Sequence, residues 1–190
     1  MTDTHRLGRR GEALRRAVLD ATIDQIADHG IEAATIQAVA GRAGVHETSV
    51  YRRWKTRENL VLDALIDKTS RDIPVPDSGS LRGDLIALAR SAAAFVQSPV
   101  GYAFLQAGVN APRVQSGQLR AFWSARREAM SVVVQRAKQR GELDYDTDDQ
   151  LMFEALVAPL HFRILLSRQS VDTDLPERLA DLVLRGVGAH

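Results

Sequence analysis

The sequence predicts an all-α protein in two helical parts, and three observations carry that expectation. Nearly every apolar run recurs at helical spacing. No stretch keeps up the apolar and polar alternation of a half-buried strand between turn residues. The segment RDIPVPDSGS, residues 71–80, gathers two prolines, a glycine and two serines, which makes it the best boundary in the chain.

Taken in order, Leu19, Ile23 and Ile26 share one face of a first helix, expected over residues 9–29 and stopped by Gly30. Thr35 is placed to cap a second helix over residues 36–43, and Gly44 breaks it. A third helix covers residues 47–54, and Thr56 caps a fourth through residue 68. Past the boundary, helices are expected over residues 81–97, 100–107 and 112–140, the last starting at Pro112 and closed by Gly141. Thr147 with Gln150, and Asp174 with Glu177, have capping-box spacing for helices over residues 148–167 and 175–186. Pro159 should kink the first of these two.

Composition bounds the function. The chain has 190 residues, 45% of them hydrophobic and 26% charged, as in ordinary globular proteins. It has no cysteine, which removes disulfides, thiol nucleophiles and thiolate metal sites together. No apolar run looks long enough to span a membrane, and the N-terminal residues lack a secretory apolar stretch, so a soluble, cytoplasmic protein is expected. The net charge is only +1, but it is unevenly spread. Residues 1–16 hold Arg6, Arg9, Arg10, Arg15 and Arg16 against Asp3 and Glu12. Residues 42–57 hold Arg42, Arg52, Arg53, Lys55 and Arg57 against Glu47, whereas residues 71–190 balance 14 basic against 14 acidic side chains. Basic clusters confined to the first third point to a polyanion partner there.

The segment TIQAVAGRAGVHETSVYRRW, residues 35–54, narrows that partner. A helix-turn-helix needs a small residue where its helices cross, a left-handed residue in the turn, and apolar residues locking the second helix to the first. Ala40, Gly44 and the set Val39, Val45 and Val50 meet those needs. At 100° per residue Val50 and Trp54 point inward together, which leaves Thr48 and Arg52 at the centre of the outward face, flanked by Ser49 and Tyr51. Such a short, polar, basic face suits entry into a DNA major groove. An Ala-Gly turn between short helices in a protein that binds no DNA is the competing reading.

With those features in place, the first 70 residues resemble the tetracycline-repressor (TetR) family of bacterial transcription regulators. The likeness rests on the first helix ending at Gly30, Thr35, AGRAGV, SVYRRW and the capped TRENLVLDAL. The segment GELDYDTDDQLMFEALVAPLHFRILL resembles one subgroup of the family's C-terminal domains. The resemblance implies an N-terminal three-helix helix-turn-helix DNA-binding domain over residues 1–70 and a C-terminal helical bundle over residues 81–190 for effector binding and dimerisation. His46, Glu47 and Lys55 depart from the family's usual residues at those positions.

Carried over by position, Arg52 can fork onto a guanine edge and Thr48 can meet a thymine methyl or a base edge. Ser49, Tyr51, Arg53 and Lys55 are expected at phosphates, as are Thr35 and Arg57 at helix N-termini. Arg6, Arg9 and Arg10 form an expected flexible arm for the minor groove. Glu47 either accepts from a cytosine or complements the helix dipole.

In the second half, the helix over residues 148–167 is apolar nearly all round, so a second subunit is expected to cover part of it, together with the helix over residues 175–186. A wholly intrachain central helix is the alternative. Arg126 lies amid the stripe Leu119, Trp123, Met130 and Val133. With Phe95, Tyr102, Phe104, Phe122, Trp123 and Met130 it suggests an apolar effector pocket with one cationic anchor, for a ligand with or without an acidic group. The alternative is an aromatic core with Arg126 paired to an acid such as Glu154. His161 reads as a core histidine.

An enzyme would need a nucleophile with its base, a phosphate loop or a metal cluster, and five scattered histidines supply none. The expectation is therefore a ligand-responsive regulator on double-stranded DNA, most simply a repressor released from a palindromic operator, acting as a homodimer without cofactor, metal or membrane, and found with the nucleoid when bound. The alternative is a helical small-molecule carrier or scaffold.

Overall fold

The structure is a computed structural model that describes residues 4–110 and 116–187. Helices α1 (Thr4–His29), α2 (Ile36–Ala43), α3 (Glu47–Trp54) and α4 (Arg57–Asp72) precede the break; α5 (Leu81–Gln97), α6 (Pro99–Asn110), α7 (Ser116–Gln139), α8 (Asp149–His161) and α9 (Leu175–Gly186) follow it. Among the described residues there is no strand. Pro112, expected to start the seventh helix, lies outside the described residues.

The helix ends follow local chemistry. Thr35 Oγ1 accepts from the Ala38 amide at 3.1 Å, and Thr56 Oγ1 from the Asn59 amide at 3.2 Å, so each satisfies an amide that helix geometry leaves free. Gly44 closes α2 at φ 66°, where a side chain would be strained. Two expected caps differ. Asp148, not Thr147, caps α8 by accepting from the Leu151 amide at 2.9 Å. Asp174 makes no cap bond: its backbone is helical, at φ −88° and ψ −12°, rather than extended as in a capping residue, and its side chain pairs with Arg178 at 3.6 Å.

Three further expectations are corrected. Helix α4 runs four residues past the expected end, to Asp72. The helix over residues 148–167 is not uniform: Pro159 has no amide to donate, and beyond His161 the chain continues as a π-helix, Phe162–Ser167, ending at Arg168 with φ 54°. The 19 residues Asp149–Ser167 are also long and apolar enough, by composition, to cross a membrane, contrary to the reading of the sequence.

The core is continuous. Val18, Leu19 and Ile26 of α1 meet Val39 and Ala40 of α2, Val50 and Trp54 of α3, and Leu60, Ala64 and Leu65 of α4. Past the break, Leu85 and Ala89 of α5, Val133 and Ala137 of α7, Met152, Leu156 and Leu160 of α8, and Ala180 of α9 are buried together. Helices α1 and α4 also touch α6 and α7, so the reader helices rest directly on the second half. Arg82 with Asp181 at 2.8 Å, and Arg90 with Glu177, clip α5 to α9.

Candidate nucleic-acid interface and effector cavity

Helix α3 is held from behind and free in front. Val50 and Trp54 are buried, Thr48, Tyr51, Arg52, Arg53 and Lys55 are exposed, and Ser49 is half-buried. The Trp54 indole donates to Asp63 of α4 at 2.9 Å, and Asn59 donates to the Trp54 carbonyl at 3.0 Å. Arg53 lies over the Trp54 ring, its guanidinium carbon 5.6 Å from the centroid.

Charge pairing sorts the basic clusters. Arg15 and Arg16 pair with Asp63 and Asp67, and Arg42 pairs with Asp28 at 2.7 Å. Arg57 donates to the Ile31 carbonyl and pairs with Glu32 and Glu58, so it fastens the start of α4 to the turn after α1. Among the described residues Arg52, Arg53 and Lys55 make no ion pair, and these three lie on the outward helix or at its end. Thr35 is exposed at the start of α2, its hydroxyl oxygen engaged by the Ala38 amide. Arg6, Arg9 and Arg10 fall on α1, whose backbone is helical from Thr4, so the expected flexible arm is instead the helix's first turns.

A second site lies between α4, α5, α6, α7 and α8, as a cavity of about 40 Å³. Phe104 and Phe122 stand 4.4 Å apart, Phe122 meets Trp123 edge-on at 5.2 Å, and Trp123 tilts against His161 at 5.6 Å. With Phe95 and Arg126, these side chains line the cavity. Tyr102 does not: its hydroxyl oxygen accepts from Gln106 and Arg168 on the surface, at 2.9 and 2.8 Å. Met130 is buried but stands apart from the lining.

The sequence reading missed Leu88, Ala92 and Val96, whose four-residue spacing puts them on one face of α5, and Phe153 and Val157 of α8. It also missed Thr69 and Ile73 at the end of α4, whose carbonyls accept from Arg126 at 3.5 and 3.2 Å. Arg126 is 8% exposed and burial lowers its pKa from the usual arginine value. The alternative pairing with Glu154 is not made; Glu154 accepts from Gln150 at 2.7 Å on the surface. Burial likewise lowers the His161 pKa, favouring its neutral form.

A free basic helix locked by a helix-turn-helix fits a DNA reader, and similarity to known proteins decides which one. Residues 18–64 match the family described as bacterial regulatory proteins, tetR family, and residues 75–183 match the tetracyclin repressor-like C-terminal domain. The chain belongs to the TetR family. It is 37% identical over 193 residues to the HTH-type transcriptional regulator AqdR of Rhodococcus erythropolis, covering 98% of this chain and 93% of AqdR. To the DNA-binding transcriptional repressor TetR of Mycobacteroides abscessus it is 29% identical, covering 92% of this chain and 94% of that one. The crystal structure of the TetR family transcription regulator SCO0332 aligns with a TM-score of 0.77 at 24% identity, over 92% of this chain and 98% of the other. This TetR-family protein is thus a DNA-binding transcriptional regulator and not an enzyme, which sets aside the carrier or scaffold. A bacterial regulator of this kind acts in the cytoplasm.

Proposed function

We propose that the regulator is a homodimeric repressor that a small apolar effector releases from a near-palindromic operator. In this reading residues 1–70 read DNA and residues 81–190 dimerise and bind the effector. The observation that carries it is the set Arg52, Arg53 and Lys55, which stand exposed on α3 and at its C-terminal end and make no ion pair among the described residues. Arg52 and Thr48 meet base edges; Ser49, Tyr51, Arg53 and Lys55 meet phosphates, with Thr35 beside them. Arg57 braces α4 first and reaches phosphate second. Arg6, Arg9 and Arg10 approach the backbone from the first turns of α1.

Two copies are needed because a palindrome presents two half-sites about one helical turn or a small multiple apart. The surface that joins them is the exposed stripe Leu151, Ala155, Ala158, Phe162 and Leu166 of α8 and its π-helical extension, beside exposed Leu182 of α9. This uncovered face also accounts for the membrane-like composition of Asp149–Ser167. The effector enters between α4, α5 and α7, and DNA binding brings the protein to the nucleoid. The test is to select operator fragments from the source genome and titrate them against salt. Phosphate contacts release counterions, so affinity should fall steeply with salt for all duplexes while the palindromic one keeps its advantage. A monomer that binds such a site with full affinity would contradict the reading.

A further inference from the structure

We propose that Arg126 is a latch on the C-terminal end of α4, opened by a monoanionic amphiphile whose carboxylate takes the guanidinium while its apolar body fills the adjoining cavity. The inference rests on the effector-responsive reading above and names its ligand class and its trigger. Arg126 is buried at 8% exposure, and among the described residues no carboxylate lies within ion-pair distance of it. Its partners are two neutral carbonyls, those of Thr69 at 3.5 Å and Ile73 at 3.2 Å, and the Thr69 carbonyl is already shared with the Ile73 amide at 2.8 Å. A desolvated guanidinium held by backbone alone exchanges readily for a carboxylate, which offers two charged oxygens in the fork geometry that arginine fits.

The rest of the lining supplies the body of the ligand. It is aromatic and aliphatic, from Phe95, Phe104, Phe122 and Trp123 to Leu88 and Val157, and burial favours the neutral form of His161, which leaves Arg126 as the site's one firm cation among the described residues. The cavity of about 40 Å³ holds little more than a water molecule, against several hundred Å³ for a typical ligand pocket. Entry must therefore widen the cavity, and in this proposal it does so by parting α4 from α7, the pair that Arg126 joins. The same step takes the Arg126 donor from the Thr69 and Ile73 carbonyls and leaves Thr69 only the Ile73 amide, so ligand uptake and release of the end of α4 are one event. That event reaches the reader because α4 carries Asp63, the partner of Trp54.

The experiment titrates the full-length protein, without DNA, by calorimetry against hexanoate, octanoate, decanoate and benzoate, each beside its primary alcohol. Amide hydrogen exchange is then followed at residues 69–73. The expected result is a preference of at least about tenfold for a carboxylate over its alcohol, with exchange at residues 69–73 sped by about tenfold at saturation, as loss of hydrogen bonds to a charged donor implies. Arg126→Met should erase the preference, and Arg126→Lys, which keeps the charge but not the fork, should keep part of it. Equal binding of acid and alcohol, no binding by any member, or unchanged or slowed exchange at residues 69–73 overturns the latch; these outcomes are read on the unaltered protein and need no variant to fold. Carboxylates that bind and loosen α4 while operator affinity stays constant would remove the regulatory reading and leave the latch. A neutral compound that releases operator, with no carboxylate preference at Arg126, would do the reverse.

Discussion

The indole Nε1 of Trp54 donates to Asp63 Oδ2 at 2.9 Å, and Asp63 Oδ1 accepts from Arg15 at 2.8 Å, so one carboxylate joins the end of α3 to α4 and α1. The hydrogen bond to Asp63 raises the Arg15 pKa above its usual value, so the cation stays charged. Asp63→Ala leaves an indole N–H and a guanidinium without their partner. It should cost about 2 kcal/mol, a fall of about 4–8 °C in Tm by calorimetry. Asp63→Asn, which can still accept from one of the two, should lose about half as much. An unchanged Tm for the alanine variant would show that the three-helix joint carries no stability.

In the proposed docking Arg52 meets a base edge and Lys55 a phosphate, so the two substitutions should differ. Arg52→Ala should lose about 1–3 kcal/mol for the cognate operator and little for other duplexes, whereas Lys55→Ala should weaken all duplexes about equally and lower the salt slope by about one. Fluorescence anisotropy against matched and scrambled duplexes separates the two. Base preference controlled by Lys55 would mean that α3 sits in the groove in another rotation.

The apolar stripe on α8 sets the expected assembly. Phe162 and Leu166 are exposed on the π-helical extension and continue the line of Leu151, Ala155 and Ala158. Phe162→Glu with Leu166→Glu places two charges on that face, where burial without a partner is costly. Sedimentation should then show a monomer at micromolar concentration, with helix content kept and operator affinity reduced. A dimer that survives both substitutions would place the interface elsewhere.

Gly101 marks the tight passage from α5 to α6. A Cβ there would stand 2.0 Å from the Phe95 carbonyl oxygen, a backbone atom that cannot step aside alone. Gly101→Ala should therefore cost about 3 kcal/mol, at the upper end of overpacking effects, and lower Tm by about 6–12 °C. Gly41→Ala, where nothing lies within 4 Å, is the control and should leave Tm unchanged or slightly raised.

The reader was more legible than the effector site, for a physical reason. Thr35, Gly44, Val50 and Thr56 act through neighbours three or four residues away, so spacing alone placed α2, α3 and the start of α4. The cavity instead collects side chains from five helices, and scanning for aromatic residues found Phe95 and Trp123 but also picked Tyr102, which faces the surface. Ending α4 at residue 68 hid the partners of Arg126, because Thr69 and Ile73 then looked like linker. Charge counting overstated the basic surface as well, since Arg42 and Arg57 are held by acids distant in sequence. The π-helix after Pro159 left no periodic trace, because its apolar residues read equally well as an ordinary helix.

Lys55 offers a way to separate stability from DNA affinity at one residue. It closes α3 at φ 66° and ψ −43°, and the Thr56 amide donates across it to the Trp54 carbonyl at 2.8 Å, a γ-turn with positive φ that strains any residue with a Cβ. Glycine relieves that strain at the cost of a more flexible unfolded chain, and the two effects leave a net gain of about 0.5–1 kcal/mol. Lys55→Gly should therefore raise Tm by about 1–4 °C while weakening all duplexes as Lys55→Ala does. Lys55→Ala keeps the strain and loses only the charge, so its Tm should stay near that of the unaltered protein. A glycine variant that is less stable than the alanine variant would show that the turn is not strained.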